Sequence, residues 1–250
     1  MGNLIVQHWC GDFPQWTSMA EQTIKKYAKA INADYLLLKD YPMQEMVKQK
    51  EQKPWLILQK LYVLNESFDL YDDVLLLDMD MIATKTIDNI FNYPGIGRLH
   101  LKGMSKLDAS KNGRKWPALY HKSQPMFFGN CVKLKKEYRK ELRKALKKDI
   151  IDSNKSSDGL PPNDEILMHH LFHVTGILKD HKELQLPHDR FCDLPEEAHK
   201  DATLLHFCNA RKNNIPEVVR NLYGLESHQE FYHLNTLEIY KKICILNSTD

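Results

Sequence analysis

Two aspartates directly follow a short apolar run in the first third of the chain. Residues 74–77 are Val-Leu-Leu-Leu, Asp78 comes next, and a single residue separates Asp78 from Asp80. A continuous apolar run predicts a strand buried on both faces, as in a parallel sheet, and such sheets place ligand sites at the carboxyl ends of their strands. Side chains at positions i and i+2 of a strand point to the same side. We therefore predict that Asp78 and Asp80 converge on one cation.

The residue types at this position favour a small, hard cation. Carboxylate oxygens are ligands of Mn2+ or Mg2+, and such ions also bind phosphate oxygens. The alternative is a strand that ends in a solvated acidic turn, because short acidic pairs are common. The buried run before Asp78 favours the metal site.

The composition is that of a folded α/β protein. The chain has 250 residues, of which 42% are apolar, and this is enough for a sizeable core. A net charge of +2 argues against a nucleic-acid partner. No apolar run approaches the length that crosses a bilayer, so we predict no transmembrane segment. The five cysteines are scattered without a C-x-x-C, which is typical of a reduced, cytoplasmic chain.

The first eighty residues alternate between strand and helix patterns. Short apolar runs predict strands at residues 4–6, 35–38 and 74–77. Apolar positions near a 3.6-residue repeat predict helices over residues 15–30 and 55–68. This β-α-β-α-β order predicts a doubly wound, mostly parallel central sheet.

The remainder of the chain is less regular. Residues 99–124 are polar and basic and predict a long loop that could cover a site. Residues 125–132 predict a strand with Gly129 inside it, which often marks a close approach of backbone or ligand. Helices are predicted at residues 133–148, 164–175, 216–222 and 227–246.

Two of these helices carry features for which we weighed a functional role. Residues 133–148 are dense in Lys and Arg, but Glu137 and Glu141 interrupt the charge, so we predict a solvated helix rather than a binder of anionic surfaces. His169 and His173 lie one turn apart and could chelate zinc. A zinc protease is disfavoured, because His170 stands where that class has a glutamate.

A second group of polar residues follows an apolar strand near residue 204. His206 ends this strand, and Lys212 follows six residues later. A neutral imidazole can complete a carboxylate-rich Mn2+ sphere, and a lysine beyond it can neutralise a diphosphate. Taken alone, His206 is typical of a satisfied interior histidine. Asp164, at the start of a predicted helix, is likewise typical of a helix N-cap.

Five segments stand out when the chain is taken as a whole. In chain order they are Lys60, Asp78-Met79-Asp80, Phe128-Gly129-Asn130, Asn163-Asp164-Glu165 and His206-Phe207-Cys208-Asn209-Ala210-Arg211-Lys212. Together these segments resemble the GT-A glycosyltransferases, in particular family 8, the glycogenin-like and bacterial galactosyltransferases. The resemblance spans roughly residues 3 to 213. The small size and the opening Gln7-His8-Trp9 are also similar to compact glycosyltransferases encoded by chlorella viruses.

The resemblance implies a GT-A fold with helices on both faces of the sheet and a metal-dependent transfer from a UDP-sugar to a carbohydrate or glycoprotein glycan. Its motifs imply that Asp78, Asp80 and His206 bind Mn2+ (or Mg2+), with Asp78 also near the ribose. They further imply that Lys212 contacts the diphosphate and Lys60 the phosphate or donor sugar. Retention of the anomeric configuration and, for a viral protein, a host-cytoplasmic location are also implied.

Two more positions complete the expected donor site. The resemblance places Asp164 near the anomeric carbon of the donor sugar, as the catalytic residue. Trp9, at the end of the first predicted strand, could border the uracil. The chain departs from the family pattern at three positions: Glu165 replaces a glutamine, Asn209 a glycine and Asn213 a proline.

The resemblance also sets the expected domain organisation. Residues 1–213 would form the GT-A domain. Residues 214–250 would be a helical C-terminal extension, which either caps the domain or begins a linker to further domains.

Two other functions remain open from the sequence. Haloacid-dehalogenase-like phosphatases also carry D-x-D after a buried strand, but Ile82 stands where their motif has Thr or Val, and no later glycine-aspartate motif follows. A non-catalytic nucleotide- or carbohydrate-binding module could share the fold. Hydrolysis of a nucleotide-sugar, hydrolysis of simple phosphomonoesters, or binding without turnover distinguishes the three.

Overall fold

The protein is described here by a computed structural model that covers residues 2–39, 60–100, 126–146, 164–177, 185–187, 190–191 and 201–224. The helix predicted over residues 227–246 lies outside these ranges, and so does the loop predicted over residues 99–124 except for residues 99 and 100, which belong to a strand instead. The strands are β1 (Gly2–Trp9), β2 (Asp34–Lys39), β3 (Tyr71–Leu77), β4 (Met81–Ala83), β5 (Gly97–His100), β6 (Met126–Lys135) and β7 (Leu204–His206). The α-helices are α1 (Gln15–Ala30), α2 (Lys136–Ala145), α3 (Asp164–Val174) and α4 (Ile215–Tyr223).

Five strands form the central sheet in the order β2-β1-β3-β6-β5. β1 pairs in parallel with both β2 and β3, whereas β6 runs antiparallel to β3 and to β5. Four of the five strands therefore run in one direction, and the prediction of a mostly parallel sheet is confirmed. A separate antiparallel pair, β4 with β7, lies beyond the carboxyl end of β3.

Both faces of the sheet are covered, as the apolar run of β3 predicts. Val74 and Leu76 pack into one apolar cluster, and Leu75 and Leu77 pack into another on the opposite face. Side chains of α2 and α3 complete the first cluster, and side chains of α1 complete the second. Because neither face of this strand is exposed to solvent, its sequence is a continuous apolar run and does not alternate between apolar and polar residues.

A third apolar cluster holds the small β4–β7 pair in place. Ile82 of β4 and Leu205 of β7 pack against Met19 of α1 and Val219 of α4. Tyr223, at the end of α4, donates a hydrogen bond of 3.0 Å to the Ala83 carbonyl. α4 corresponds to the helix predicted at residues 216–222, and it packs on the body of the fold. The domain boundary after residue 213 remains a prediction.

Two predicted helices differ in extent from those observed. The helix predicted over residues 55–68 falls partly outside the described residues, and the described part consists of 3-10 turns at residues 60–64 and Glu66–Leu70. Asn65 interrupts them by accepting the Ser67 amide proton, the local capping that competes with a continuous helix. The helix predicted from residue 133 begins at Lys136, because residues 133–135 still belong to β6. Its predicted packing through Leu142 is confirmed.

Lys133 is buried on β6, with only 2% of its surface exposed. Its ammonium donates hydrogen bonds to the carbonyls of Tyr93 and Ile90. These bonds connect residues 90–93 to the sheet. Burial lowers the pKa of Lys133 to about 8. The charged form therefore destabilises the folded state relative to the unfolded one.

We expect this burial to make stability depend on pH. Between about pH 8 and the unfolded-state pKa near 10.4, the unfolded chain binds the extra proton, so the free energy of unfolding rises with pH by up to about 3 kcal/mol. Lys133→Met removes the titrating group. Urea titrations at pH 8 and pH 10 should show that the free energy of unfolding of the wild type rises with pH relative to that of the variant. An equal change in both proteins would contradict the prediction.

No helix among the described residues is long and apolar enough to cross a membrane. The described cysteines Cys10, Cys131 and Cys208 are free thiols. The cytoplasmic location remains a prediction.

Candidate metal and diphosphate site

Asp78 and Asp80 lie in a turn that follows β3, and not on the strand itself. β3 ends at Leu77, and the Met81 amide donates a 3.2 Å hydrogen bond to the Asp78 carbonyl. The assumption of strand geometry was therefore wrong for this pair. The two carboxylates still converge, because both lie in the turn that this hydrogen bond closes.

Pairing between β4 and β7 brings His206 to the aspartates. Met81 and His206 are cross-strand partners, and the Phe207 amide donates a 2.9 Å hydrogen bond to the Asp80 carbonyl. The Nε2 atom of His206 lies 3.3 Å from Oδ1 of Asp80 and 3.9 Å from Oδ2 of Asp78. The predicted grouping of these three side chains is thus observed.

The three side chains suit a divalent cation. One ligand atom from each of Asp78, Asp80 and His206 lies within 4.8 Å of the others. Two carboxylate oxygens and one imidazole nitrogen form a donor set that accommodates Mn2+ and Mg2+. Among the residues that the structure describes, this is the one cluster of three or more potential metal ligands. The zinc pair considered at His169 and His173 belongs to no such cluster.

Each aspartate also contacts a lysine. Lys60 forms an ion pair with Oδ1 of Asp78 and lies 3.4 Å from the Gly129 carbonyl. Lys212 lies 3.0 Å from Oδ2 of Asp80. Burial alone would raise the pKa of Asp80, but its hydrogen bonds to His206 and Lys212 and the ammonium charge of Lys212 outweigh it and lower that pKa. Asp80 is therefore held as a carboxylate.

An aromatic cluster borders the lysine side of the site. Trp9, at the end of β1, packs edge-on against Trp16 with ring centroids 5.3 Å apart. The Lys212 ammonium lies 5.5 Å from the centre of the Trp16 ring, a cation–π distance. The Trp16 ring thus contacts both Trp9 and Lys212. Sequence reasoning did not identify Trp16, because an aromatic residue near the start of an amphipathic helix is most simply a core residue.

Asp164 is the first residue of α3. Its side chain lies outside the described part of the chain, so its predicted position near the donor sugar stays a prediction.

Two residues that support the aspartate turn were missed in the sequence. The amide nitrogen of Gln7 donates a 3.0 Å hydrogen bond to the Asp78 carbonyl, and Gln7 accepts one of 2.9 Å from the Tyr35 hydroxyl. Gln7 is only 1% exposed. The available signal was a glutamine that continues an otherwise apolar strand, since buried polar side chains are nearly always hydrogen-bonded.

Asn130 is the third supporting residue, and the sequence marked it only as part of a motif. Its carbonyl accepts the Asp78 amide proton at 2.8 Å, and its side-chain Nδ2 lies 3.0 Å from Nδ1 of His206. Asn130 therefore contacts both halves of the site. These contacts come from β6, which is remote in sequence from both Asp78 and His206.

The sheet and the position of the site define a nucleotide-sugar-transferase type of α/β fold, the GT-A fold. A crystal structure of a glycosyltransferase involved in glycosylation of the major capsid of PBCV-1 matches with a TM-score of 0.51 and 15% identity, over 88% of this chain and 100% of that one. The galactosyltransferase LgtC, in complex with donor and acceptor sugar analogs, matches with a TM-score of 0.50 and 10% identity, over 91% and 99% of the two chains. The predicted fold is confirmed by these neighbours.

A protein-family model matches part of the chain. The CRAL/TRIO N-terminal domain family matches residues 140–222, about a third of the chain. The described part of this segment includes β7, which pairs with β4 outside the segment. No curated protein sequence matches the chain.

Proposed function

We propose that this protein is a metal-dependent glycosyltransferase that moves a sugar from a UDP-sugar to a hydroxyl group of a carbohydrate or glycoprotein glycan. One observation carries the proposal: Asp78, Asp80 and His206 offer ligand atoms within 4.8 Å of one another, beside Lys212. This cluster lies at the carboxyl end of β3, where open α/β sheets bind ligands. The shared fold with two glycosyltransferases supports it.

The proposed chemistry follows from the charge on the leaving group. Cleavage of a sugar–phosphate bond places negative charge on a nucleoside diphosphate while the sugar becomes oxocarbenium-like. Asp78, Asp80 and His206 would hold Mn2+ or Mg2+, which supplies positive charge at the diphosphate. Lys212 would add a second positive charge, because its ammonium already lies 3.0 Å from Asp80. Lys60, beside Asp78, would contact the phosphate or the donor sugar.

The remaining roles in the proposal concern the two ends of the donor. Trp9 would border the uracil, since it ends β1 on the same edge of the sheet as the D-x-D turn. Asp164 would face the donor sugar from the first turn of α3. We propose retention of configuration, with the departing phosphate taking the acceptor proton. Of the two kinds of acceptor we favour a glycoprotein glycan, because the structurally similar PBCV-1 enzyme is involved in glycosylation of the major capsid.

Ligand-induced stabilisation provides the direct test. UDP, GDP and their sugars would be screened by thermal shift with and without Mn2+. A ligand at a hundred times its dissociation constant stabilises the folded state by about 2.7 kcal/mol. We expect UDP compounds to stabilise only when metal is present, and UDP-sugars to be slowly hydrolysed. Turnover of a simple phosphomonoester would instead indicate a phosphatase, and binding without turnover would indicate a binding module.

Lys212→Met separates the leaving-group role from metal binding. We expect the hydrolysis of the preferred UDP-sugar to fall by about 10- to 100-fold, because a charge next to the developing diphosphate is lost. Binding of Mn2+ alone should not weaken, since the lysine pairs with Asp80 and opposes the cation. The measurement is kcat/KM together with Mn2+ affinity. Equal losses in both would argue against a contact with the leaving group.

A further inference from the structure

We infer that Asn130 positions His206 for metal binding and selects its tautomer, by turning its side-chain amide over when the cation binds. The inference rests on the metal-dependent function proposed above and assigns a role to a side chain that is not itself a metal ligand. It follows from one hydrogen bond, one buried oxygen and the chemistry of the imidazole ring.

Asn130 is fixed by its place in the sheet. It lies on β6 next to Cys131, the cross-strand partner of Leu77 at the end of β3. Its backbone carbonyl accepts the Asp78 amide proton at 2.8 Å. The side chain is 6% exposed and lies against the Nδ1 edge of His206, at 3.0 Å. The side-chain amide is therefore held against the imidazole ring of His206.

In the structure the side-chain amide of Asn130 is assigned with its nitrogen toward the ring, an orientation that fits one of the two tautomers of His206. An amide NH2 group can only donate, so Nδ1 of His206 must accept, and the single proton of a neutral imidazole is then on Nε2. That proton points to carboxylate oxygen, because Nε2 lies 3.3 Å from Oδ1 of Asp80. The ring is satisfied on both sides, but a protonated Nε2 has no lone pair for a cation.

Metal binding requires the other tautomer. For Nε2 to bind a cation its proton must be on Nδ1, and a ligating histidine normally donates that proton to a nearby oxygen. Oδ1 of Asn130 is buried and has no hydrogen-bond partner among the residues that the structure describes. Rotation of the amide by half a turn brings this oxygen to Nδ1 and gives it the missing hydrogen bond. The same side chain therefore serves both tautomers.

The side-chain type explains why asparagine suits this position. Aspartate could only accept a hydrogen bond and would hold the proton on Nδ1 with or without a cation. Leucine could do neither and would leave Nδ1 buried without a partner. Asparagine is the residue of this size that can both donate and accept, so it permits His206 to pair with Asp80 in one state and with a cation in the other.

Binding of the metal alone tests the inference without any turnover. Mn2+ affinity would be measured from the EPR signal of free Mn2+ for the full-length chain. We expect Asn130→Leu to weaken binding by about 10- to 100-fold, the usual effect of removing a hydrogen-bond partner of a ligating histidine. Asn130→Asp should restore binding to within a few-fold of the wild type or better. Equal affinity of wild type and Asn130→Leu would overturn the inference.

A nearby variant controls for local disturbance of β7. The Thr203 hydroxyl is buried and has no hydrogen-bond partner among the described residues, and Thr203 adjoins the start of β7. Thr203→Val should leave Mn2+ affinity unchanged. An equal loss in this variant would show that the effect of Asn130→Leu is only structural, and would also overturn the inference.

The tautomer itself can be read by NMR. The ring nitrogens of 15N-histidine-labelled protein report which nitrogen carries the proton, with Mg2+ as the diamagnetic cation. We expect His206 to carry it on Nε2 without metal and on Nδ1 with Mg2+, and to carry it on Nδ1 in both states of Asn130→Asp. An unchanged wild-type tautomer would refute the inference alone. A wild type that binds neither cation would refute the metal-dependent function and the inference together.

Discussion

Asp80→Asn should lower the metal-dependent hydrolysis or transfer of a UDP-sugar by about a thousandfold, which corresponds to about 4 kcal/mol of transition-state stabilisation. Asp80 is 6% exposed and contacts both His206 and Lys212, so its carboxylate is the most enclosed of the two acids. The substitution keeps the shape of the side chain and removes its negative charge. The cation would then lose an anionic ligand, and the diphosphate would lose much of its counter-charge.

The measurement is kcat/KM at saturating Mn2+, together with Mn2+ affinity. Asp72→Asn is the matched control, because Asp72 is an exposed acid near the opposite end of β3. It should keep activity within about twofold. The melting temperature of both variants shows whether the fold survives. An Asp80→Asn variant that folds and retains wild-type activity would exclude the proposed metal site.

Arg139→Met should lower the free energy of unfolding by roughly 3–5 kcal/mol, the range seen when a buried charged hydrogen-bond network is broken. Arg139 is completely buried on α2. Its guanidinium donates to the carbonyls of Leu134 at 2.6 Å, Tyr71 at 2.6 Å and Phe68 at 2.9 Å. These carbonyls belong to the end of β6 and to the junction of the Glu66–Leu70 turn with β3. Methionine fills the space but leaves them without this donor.

Urea unfolding followed by circular dichroism measures the loss. Lys140→Met, one residue later on the exposed side of α2, should change stability by less than about 0.5 kcal/mol. A loss of less than 1 kcal/mol for Arg139→Met would mean that water replaces the guanidinium at these carbonyls. Burial also lowers the pKa of Arg139, because desolvation disfavours the charged guanidinium.

Local sequence patterns predicted secondary structure correctly where the burial of apolar side chains dominates. The helix predicted over residues 15–30 is observed as Gln15–Ala30, because its apolar repeat packs on the sheet and on the β4–β7 pair. The apolar run at residues 74–77 is buried on both faces as predicted. Prediction was poorer over residues 60–68, because the side chain of Asn65 caps the backbone and breaks the helical repeat.

The candidate site was only partly accessible to sequence reasoning. Residue type and position at the end of a buried strand identified Asp78 and Asp80, whereas Lys60, and the choice of His206 and Lys212 as site residues, depended on the resemblance to family 8. The contacts of Gln7 and Asn130 could not be predicted, because an amide side chain in a strand carries no sign of its partner. Their hydrogen bonds join residues that are 71 and 76 positions apart in the chain.

The sequence by itself determined the class of fold and the donor groups of the candidate site, since apolar runs fix what is buried and residue type fixes which ligand atoms are offered. Tertiary structure alone decided how the ligands meet. A turn rather than a strand points Asp78 and Asp80 the same way, and the β4–β7 pair delivers His206 to them. The physical reason is that burial depends on composition within a short window, whereas a metal site depends on distances set by strand pairing across the whole domain.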